Sequence, residues 1–466
     1  MKPKKIKNPN VILNEGPTVV GMMSAIVERG GSLDSAARDV AKNGPERSAA
    51  LFGAIVVKAD TRQIPDIHHG MSEMLSSLPP EAAAFRRSVH MVMAAAASSD
   101  QSERKRMLAD ASDISLSGLK EIGESYSTSL NVPCMMIFGL GIMVPMVLMS
   151  ILPMLSLGGI LGGSSISSGP IVLVTLVFIP AIILSLIVSV KEKNPFMKKS
   201  SNMDLKHVLP ALSAAPAALV VFMITKDAQL SLLAAALVSG AAMLVRAAPY
   251  VRSEKVREKQ EMLLQDSVFE LGNRLIAGEN FETSIVKAIG TRAECLPVAD
   301  SVYREMGICR GDSCSAIKAS VGKISAPVAD VFCDVQRCSQ KDVREAGRLA
   351  VSVGRQIQDQ DSVRKGIKNK LKSMTDMMTG TAAIFAPLVL GMSVTMLEPI
   401  SRVMDGVDFG GTSSILSVYL IELCILVSVL TSFLSGKIDI RDITYRLGLM
   451  LPISLITFTL CSSIGL

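Results

Sequence analysis

Tryptophan is absent from this 466-residue chain and tyrosine occurs only five times, so a belt of interfacial aromatics cannot be used to place the ends of membrane spans. Charge is scarce as well: Asp, Glu, Lys and Arg make up 19% of the residues against 49% hydrophobic, and the mean hydropathy is +0.41. That balance excludes a soluble protein of this size and leaves a membrane protein. Alternating strand patterns are rare, which argues for helices. No GxxxxGK[ST] loop occurs. Gly322-Lys323 and Gly436-Lys437 lack both the upstream glycine and the following Ser or Thr, so nucleotide hydrolysis by that route is excluded. HExxH, GxSxG and GxGxxG are also missing, and no catalytic residue, cofactor or metal is expected. The first ten residues, MKPKKIKNPN, carry four lysines but lead into no apolar stretch, so no cleavable signal is expected.

What is present begins with the apolar runs. A spanning helix needs about 20 mostly apolar residues, and seven segments qualify: 133–156, 169–190, 208–225, 228–247, 379–398, 412–435 and 447–466. The third and fourth, separated only by Lys226-Asp227, form either a tight hairpin or a shorter re-entrant pair. The connection 157–168 has no charge, whereas 191–206 carries five lysines and 436–446 carries Lys437, Arg441 and Arg446. Positive charge gathers on the cytoplasmic side. Seven spans then place the amino terminus inside, the carboxy terminus outside and both long polar segments in the cytoplasm.

The expected organisation is therefore all-α, with a first cytoplasmic helical domain at 1–132, a first membrane region at 133–247, a second cytoplasmic domain at 248–378 and a second membrane region at 379–466. Apolar residues in the polar segments recur at helical spacing, as in Val19, Met22, Met23, Ile26 and Val27, or Leu263, Leu264, Val268, Leu271 and Leu275. The first polar segment holds 16 Lys plus Arg against 15 Asp plus Glu, and the second 21 against 18. Such balance gives no reason to expect nucleic acid as a partner.

One short pattern occurs twice. Gly30-Gly31-Ser32-Leu33-Asp34-Ser35-Ala36 is echoed by Gly278-Glu279-Asn280-Phe281-Glu282-Thr283-Ser284, and Gly118-Leu119-Lys120 by Gly366-Ile367-Lys368, at the same offset. The corner has a physical reading. Gly30 or Gly31 ends one helix in the left-handed conformation, Ser32 caps the next, and Asp34 lies in its first turn near the positive end. In the second copy Gly278, Asn280 and Glu282 take those parts. Recurrence points to an internal duplication, a cytoplasmic bundle of about 130 residues feeding into membrane helices.

With this corner, its echo and the order of bundle, spans, bundle, spans, the chain resembles the bacterial and archaeal platform proteins built from the type II secretion F domain. These serve type II secretion, type IV and Tad pili and the archaeal flagellum, and seven spans look more like the archaeal branch. The second copy departs from the pattern in having Glu279 where the paired glycine would be. The resemblance implies a non-enzymatic, multi-pass platform in the cytoplasmic (inner) membrane. A cytoplasmic ATPase would dock on the two bundles, pilin-like membrane subunits would be handled by the spans, and the platform would work alone or as a homodimer. A two-repeat transporter or permease is the alternative class.

Candidate docking residues are Gly30, Gly31, Asp34, Gly278 and Glu282 at the corners. The cations Lys191, Lys193, Lys198, Lys199 and Lys206, with the run Arg252, Lys255, Arg257 and Lys259, suit either lipid headgroups or an acidic motor face. Glu422 lies near the middle of a span, where a carboxylate costs several kcal/mol if ionised. It is either protonated and bonded between helices or a polar contact in a groove for a partner's membrane helix. Prolines 133, 145, 153, 180, 210, 216, 387 and 452 in or beside the spans suggest kinks. His68-His69 reads as a solvated pair. Eight cysteines, three in apolar runs and five in the second polar segment, read as reduced thiols. Cys309/Cys314 and Cys333/Cys338 are each spaced five apart, a poor fit to a zinc site on one helical face.

Overall fold

The computed structural model describes residues 9–148, 151, 173–196, 216, 219, 221–223, 228–310, 312–403, 412–436 and 439–463. Among these the protein is all-α, without strands, and the chain divides into two compact units. The polar unit comprises 1–124 and 254–367, and the membrane unit comprises 125–253 and 368–466.

In chain order the first copy runs α1 (Pro9–Glu28), α2 (Leu33–Asn43), α3 (Glu46–Asp60), α4 (Ile67–Ser77), α5 (Ala83–Ala97) and α6 (Gln101–Leu148). Next come α7 (Val174–Glu192) and the 49-residue α8 (Ala228–Ile276). The second copy continues with α9 (Phe281–Gly290), α10 (Leu296–Ile308), α11 (Ser313–Ser320), α12 (Ala326–Ser339) and α13 (Val343–Met396). Two last helices, α14 (Thr412–Leu434) and α15 (Ile440–Ser463), complete the chain.

The duplication is therefore a six-helix pattern: α1–α6 correspond in order to the polar half of α8 and α9–α13. Each copy has its own core. Val20, Met23 and Val27 are buried in the first, and Val268, Leu271 and Leu275, each 248 positions later, are buried in the second. These triplets recur at three- and four-residue spacing, so one stripe of each helix faces inward. Glu15 ties α1 to the start of α3, accepting bonds from the Ser48 amide at 2.8 Å and hydroxyl at 2.6 Å.

Within the polar unit the two copies touch. Ala25 of α1 packs against the second core, Gln360 Nε2 donates to the Pro17 carbonyl at 3.0 Å, and Gln356 lies against Gly21. Gly21 leaves room for that side chain, since a Cβ there would sit 2.6 Å from the Gln356 amide nitrogen and push it aside.

Six helices among the described residues are long and apolar enough to cross a membrane: α6, α7, α8, α13, α14 and α15. They correspond to six of the seven expected spans, and the protein is a polytopic membrane protein. The third expected span, 208–225, lies mostly outside the described residues, as does the uncharged connection 157–168. Three helices are much longer than a bilayer needs: α6 with 48 residues, α8 with 49 and α13 with 54. In each, a polar half continues without a break into an apolar half. Within the membrane unit α14 is the most enclosed, with 61% of its apolar stretch buried, and it packs against α7, α13 and α15.

Candidate functional site

The two corners share one backbone device. Gly30 has φ +77° and Gly278 φ +90°, the left-handed region that only glycine enters without cost. The Gly30 amide donates to Val27 O at 3.0 Å and the Gly31 amide to Ile26 O at 2.9 Å. In the second copy the Gly278 amide donates to Leu275 O at 3.0 Å and the Glu279 amide to Arg274 O at 3.1 Å. This is the paired bond of a Schellman C-cap, and each of the four groups is displaced by 248 positions from its counterpart. The hydroxyls follow suit: Ser35 Oγ donates to Ser32 O at 2.7 Å, and Thr283 Oγ1 to Asn280 O at 3.0 Å.

The side chains diverge. Ser32 caps α2, accepting from the Ser35 amide at 3.2 Å. Asn280 occupies the same cap position but its side chain makes no cap bond, so the expectation of a side-chain cap holds for one copy only. Asp34 is tied to Arg38, whose Nε donates to it at 2.9 Å while Nη1 and Nη2 grip Asp60 at 3.1 and 2.6 Å. The guanidinium thus holds Asp60 at the end of α3 and keeps its carboxyl below the usual range. Glu282 instead accepts from Ser313 Oγ at 3.3 Å at the start of α11. Glu279, the departure from the paired glycine, reaches Lys287 at 3.5 Å and Arg274 at 3.8 Å, so it closes the second corner with charge. The first corner also lies beside the other copy: Arg29 and Asp39 face Asp334 of α12, whose carboxyl is pushed up chiefly by burial.

The cationic candidates scatter. Lys259 pairs with Glu294 at 2.7 Å and Arg257 donates to the Ile324 carbonyl at 3.4 Å, which makes both structural ties of the polar unit. Arg252 and Lys255 are exposed. In the membrane unit Lys191 sits 5.3 Å from the centroid of the Phe433 ring, and Asn194 Nδ2 donates to the Phe433 carbonyl at 2.6 Å. Lys193 belongs to the helix ending there, while Lys198, Lys199 and Lys206 lie outside the described residues. The described cations divide between the polar unit, with Lys255, Arg257 and Lys259, and the membrane unit, with Lys191, Lys193 and Arg252.

Glu422 is on the central helix α14, half-buried, with no hydrogen bond or ion pair among the described residues. Residues of the same helix that sequence reasoning passed over are more firmly placed. Tyr419, fully buried, donates its hydroxyl to the Gly141 carbonyl at 2.6 Å, and Cys424 Sγ approaches the Ala382 carbonyl at 3.9 Å. Both carbonyls belong to π turns. Gly139–Met143 in α6 and Thr381–Phe385 in α13 widen to i→i−5 bonding, with Val144 N donating to Gly139 O and Ala386 N to Thr381 O. The rings of Phe138 and Phe385 meet beside them at 5.7 Å. A third π turn, Val174–Phe178, opens α7.

The expectation that every cysteine is a reduced thiol is corrected: Cys314 of α11 and Cys333 of α12 form a disulfide, 19 residues apart in sequence. Their Cα atoms lie 5.0 Å apart, a separation within the range a bridge can close. The bond takes one cysteine from each of the two pairs whose spacing is a poor fit to a zinc site. No group of three or more His, Cys, Asp or Glu able to hold a metal occurs among the described residues. No protein-family model, no curated protein and no solved structure matches the chain.

Proposed function

We propose that this protein is a membrane platform of a type IV pilus-like or secretion filament machine, coupling a cytoplasmic ATPase to the insertion of pilin-like subunits. The observation that carries the reading is the duplication. Two six-helix copies each carry the same glycine corner, and in both the last helix runs on into the membrane unit. A platform of this kind needs a sizeable polar part for a motor to push and a membrane part that can meet partner helices. Both are present, and the chain carries no nucleotide-binding loop of its own.

The lysine-rich connections support a cytoplasmic position for the polar unit, and the seven spans expected from the sequence would put the carboxy terminus outside. The half-buried carboxylate of Glu422 is the polar contact offered to a partner's membrane helix. The platform is itself non-enzymatic and works alone or as a homodimer. Purification of the full chain from its native membrane tests this: an ATPase and pilin-like proteins should come with it in detergent. Ligand-dependent flux through liposomes holding the chain alone, with no such partners recovered, would overturn the reading in favour of a transporter.

A further inference from the structure

Two long helices, one from each copy, change from α to π winding at corresponding places. Counted from the helix starts at Gln101 and Val343, the π turns at Gly139 and Thr381 both begin after the same number of residues. A π turn is an α-helix holding one extra residue, and it leaves carbonyls displaced from their usual donors; Pro145 and Pro387, two residues past the two turns, have no N–H to offer them. Here each π turn has a carbonyl taken up by the same neighbouring helix. Tyr419 reaches Gly141 O and Cys424, five residues further along α14, reaches Ala382 O. Gly141 is in direct contact with that helix, since a Cβ on it would lie 3.2 Å from Leu423. The Phe138 and Phe385 rings close the gap between the two π turns.

We infer that these groups form one coupled joint, in which the winding of α6 and α13 is set jointly through α14. An extra residue absorbed in one helix turns everything before it by about 100° and advances it by about 1.5 Å. Passing between π and α winding therefore converts a small shift at the membrane end into rotation of a long helix. Packed elements switch between discrete arrangements and do not deform continuously. With α14 bonded to both π turns, a change in either one must be felt at the other through a single rigid helix. The inference holds whether or not the protein is a filament platform.

Hydrogen exchange of the purified full chain in lipid nanodiscs, read by mass spectrometry, tests it. Tyr419→Phe removes only the hydroxyl and leaves the Gly141 carbonyl unpaired, which should speed exchange over 139–143 by about tenfold. The joint requires that exchange over 381–385 rise as well. Cys424→Ala should act in the opposite direction, loosening 139–143 along with 381–385. A response confined to the π turn directly touched, or no response in either, would overturn the joint and leave two local anchors. As a control, Pro145→Ala returns an N–H to α6 and permits plain α winding there, and in that background Tyr419→Phe should no longer alter 381–385. If it still does, the coupling does not run through the π turn.

Discussion

The corners make a paired prediction, because one register position is glycine in the first copy and glutamate in the second. Gly31 and Glu279 both donate the long bond of the C-cap, to Ile26 O and Arg274 O respectively. A Cβ added at Gly31 would sit 2.5 Å from Ile26 Cγ2 and 2.8 Å from Ile26 O, the atom its own amide is bonded to. It cannot fit without breaking that bond. Ile26 is branched at Cβ and fills the space, whereas the unbranched Arg274 leaves room for the Cβ of Glu279. Gly31→Ala therefore sacrifices a backbone bond and strains the turn, together about 2 kcal/mol. Glu279→Ala loses two long, half-exposed ion pairs and the 3.3 Å bond that Glu279 accepts from the buried Ser284 hydroxyl, together about 1 kcal/mol. Gly30→Ala and Gly278→Ala, which force alanine into the left-handed region, should cost about 1–2 kcal/mol each and equally. Unfolding of a large membrane protein is a poor readout of a local turn, so the assay is amide exchange in the helix following each corner. About 2 kcal/mol corresponds to roughly 30-fold faster exchange in 33–43 for Gly31→Ala, with about fivefold in 281–290 for Glu279→Ala. Equal effects of these two variants, or a larger one for Glu279→Ala, would show that the corners are not the same structure with different neighbours.

Three further outcomes follow from other contacts. Arg38→Ala should free Asp60, whose depressed carboxyl stabilises the α2–α3 pair at neutral pH and loses that effect as pH falls below about 4. The wild type should show acid loosening of α2 and α3 in exchange measurements, and the variant should already be loose at pH 7 with little further change. Alkylation of the protein under acid quench followed by peptide mapping should recover Cys314 and Cys333 as one crosslinked species. Cys314→Ser should lower the stability of α11 and α12 by about 3 kcal/mol, the figure for a closed loop of this length, and an equal loss in fully reduced wild type would confirm the bond as its source. Glu422→Gln should impair recovery of partner membrane subunits while the protein stays folded; normal recovery would remove any role for its charge.

Much of the membrane part was legible, because a run of apolar residues long enough to span has few other uses. Six of the expected spans coincide with long apolar helices. The corner was legible for a similar reason: a glycine followed by a small polar residue and an acid has a narrow set of backbone solutions, and both copies adopt one of them. What was not legible depends on neighbours distant in sequence. The Arg38 clamp needed α3 to end beside α2, and only its i,i+4 spacing from Asp34 hinted at it. The bridge between Cys314 and Cys333 joins residues on different helices, and spacing within the chain gave no sign of it. The π turns did carry a signal, read from sequence only as a kink: a proline stands two residues past each of them, Pro145, Pro180 and Pro387, and has no N–H to return to the turn before it.

The second echo, Gly118-Leu119-Lys120 against Gly366-Ile367-Lys368, shows where a fixed offset stops working. Leu119 and Ile367 are both buried, yet the two glycines sit differently. Gly118 is pressed against Ala84, where a Cβ would collide, and Gly366 has open space around it. Helix starts explain this. The offset is 248 between Leu33 and Phe281, but 246 between Ile67 and Ser313, 243 between Ala83 and Ala326 and 242 between Gln101 and Val343. The second copy has lost residues in the connections around α11 and in that helix itself, which is 8 residues long against 11 for α4. Such losses are tolerated on the surface, where they cost little loop entropy, and not inside a packed stripe. Matching at 248 therefore aligns the corners correctly and pairs the wrong residues on the last helix. The π turns, which lie at 242, keep step with the helix starts, so the winding change belongs to the duplicated unit and not to either copy alone.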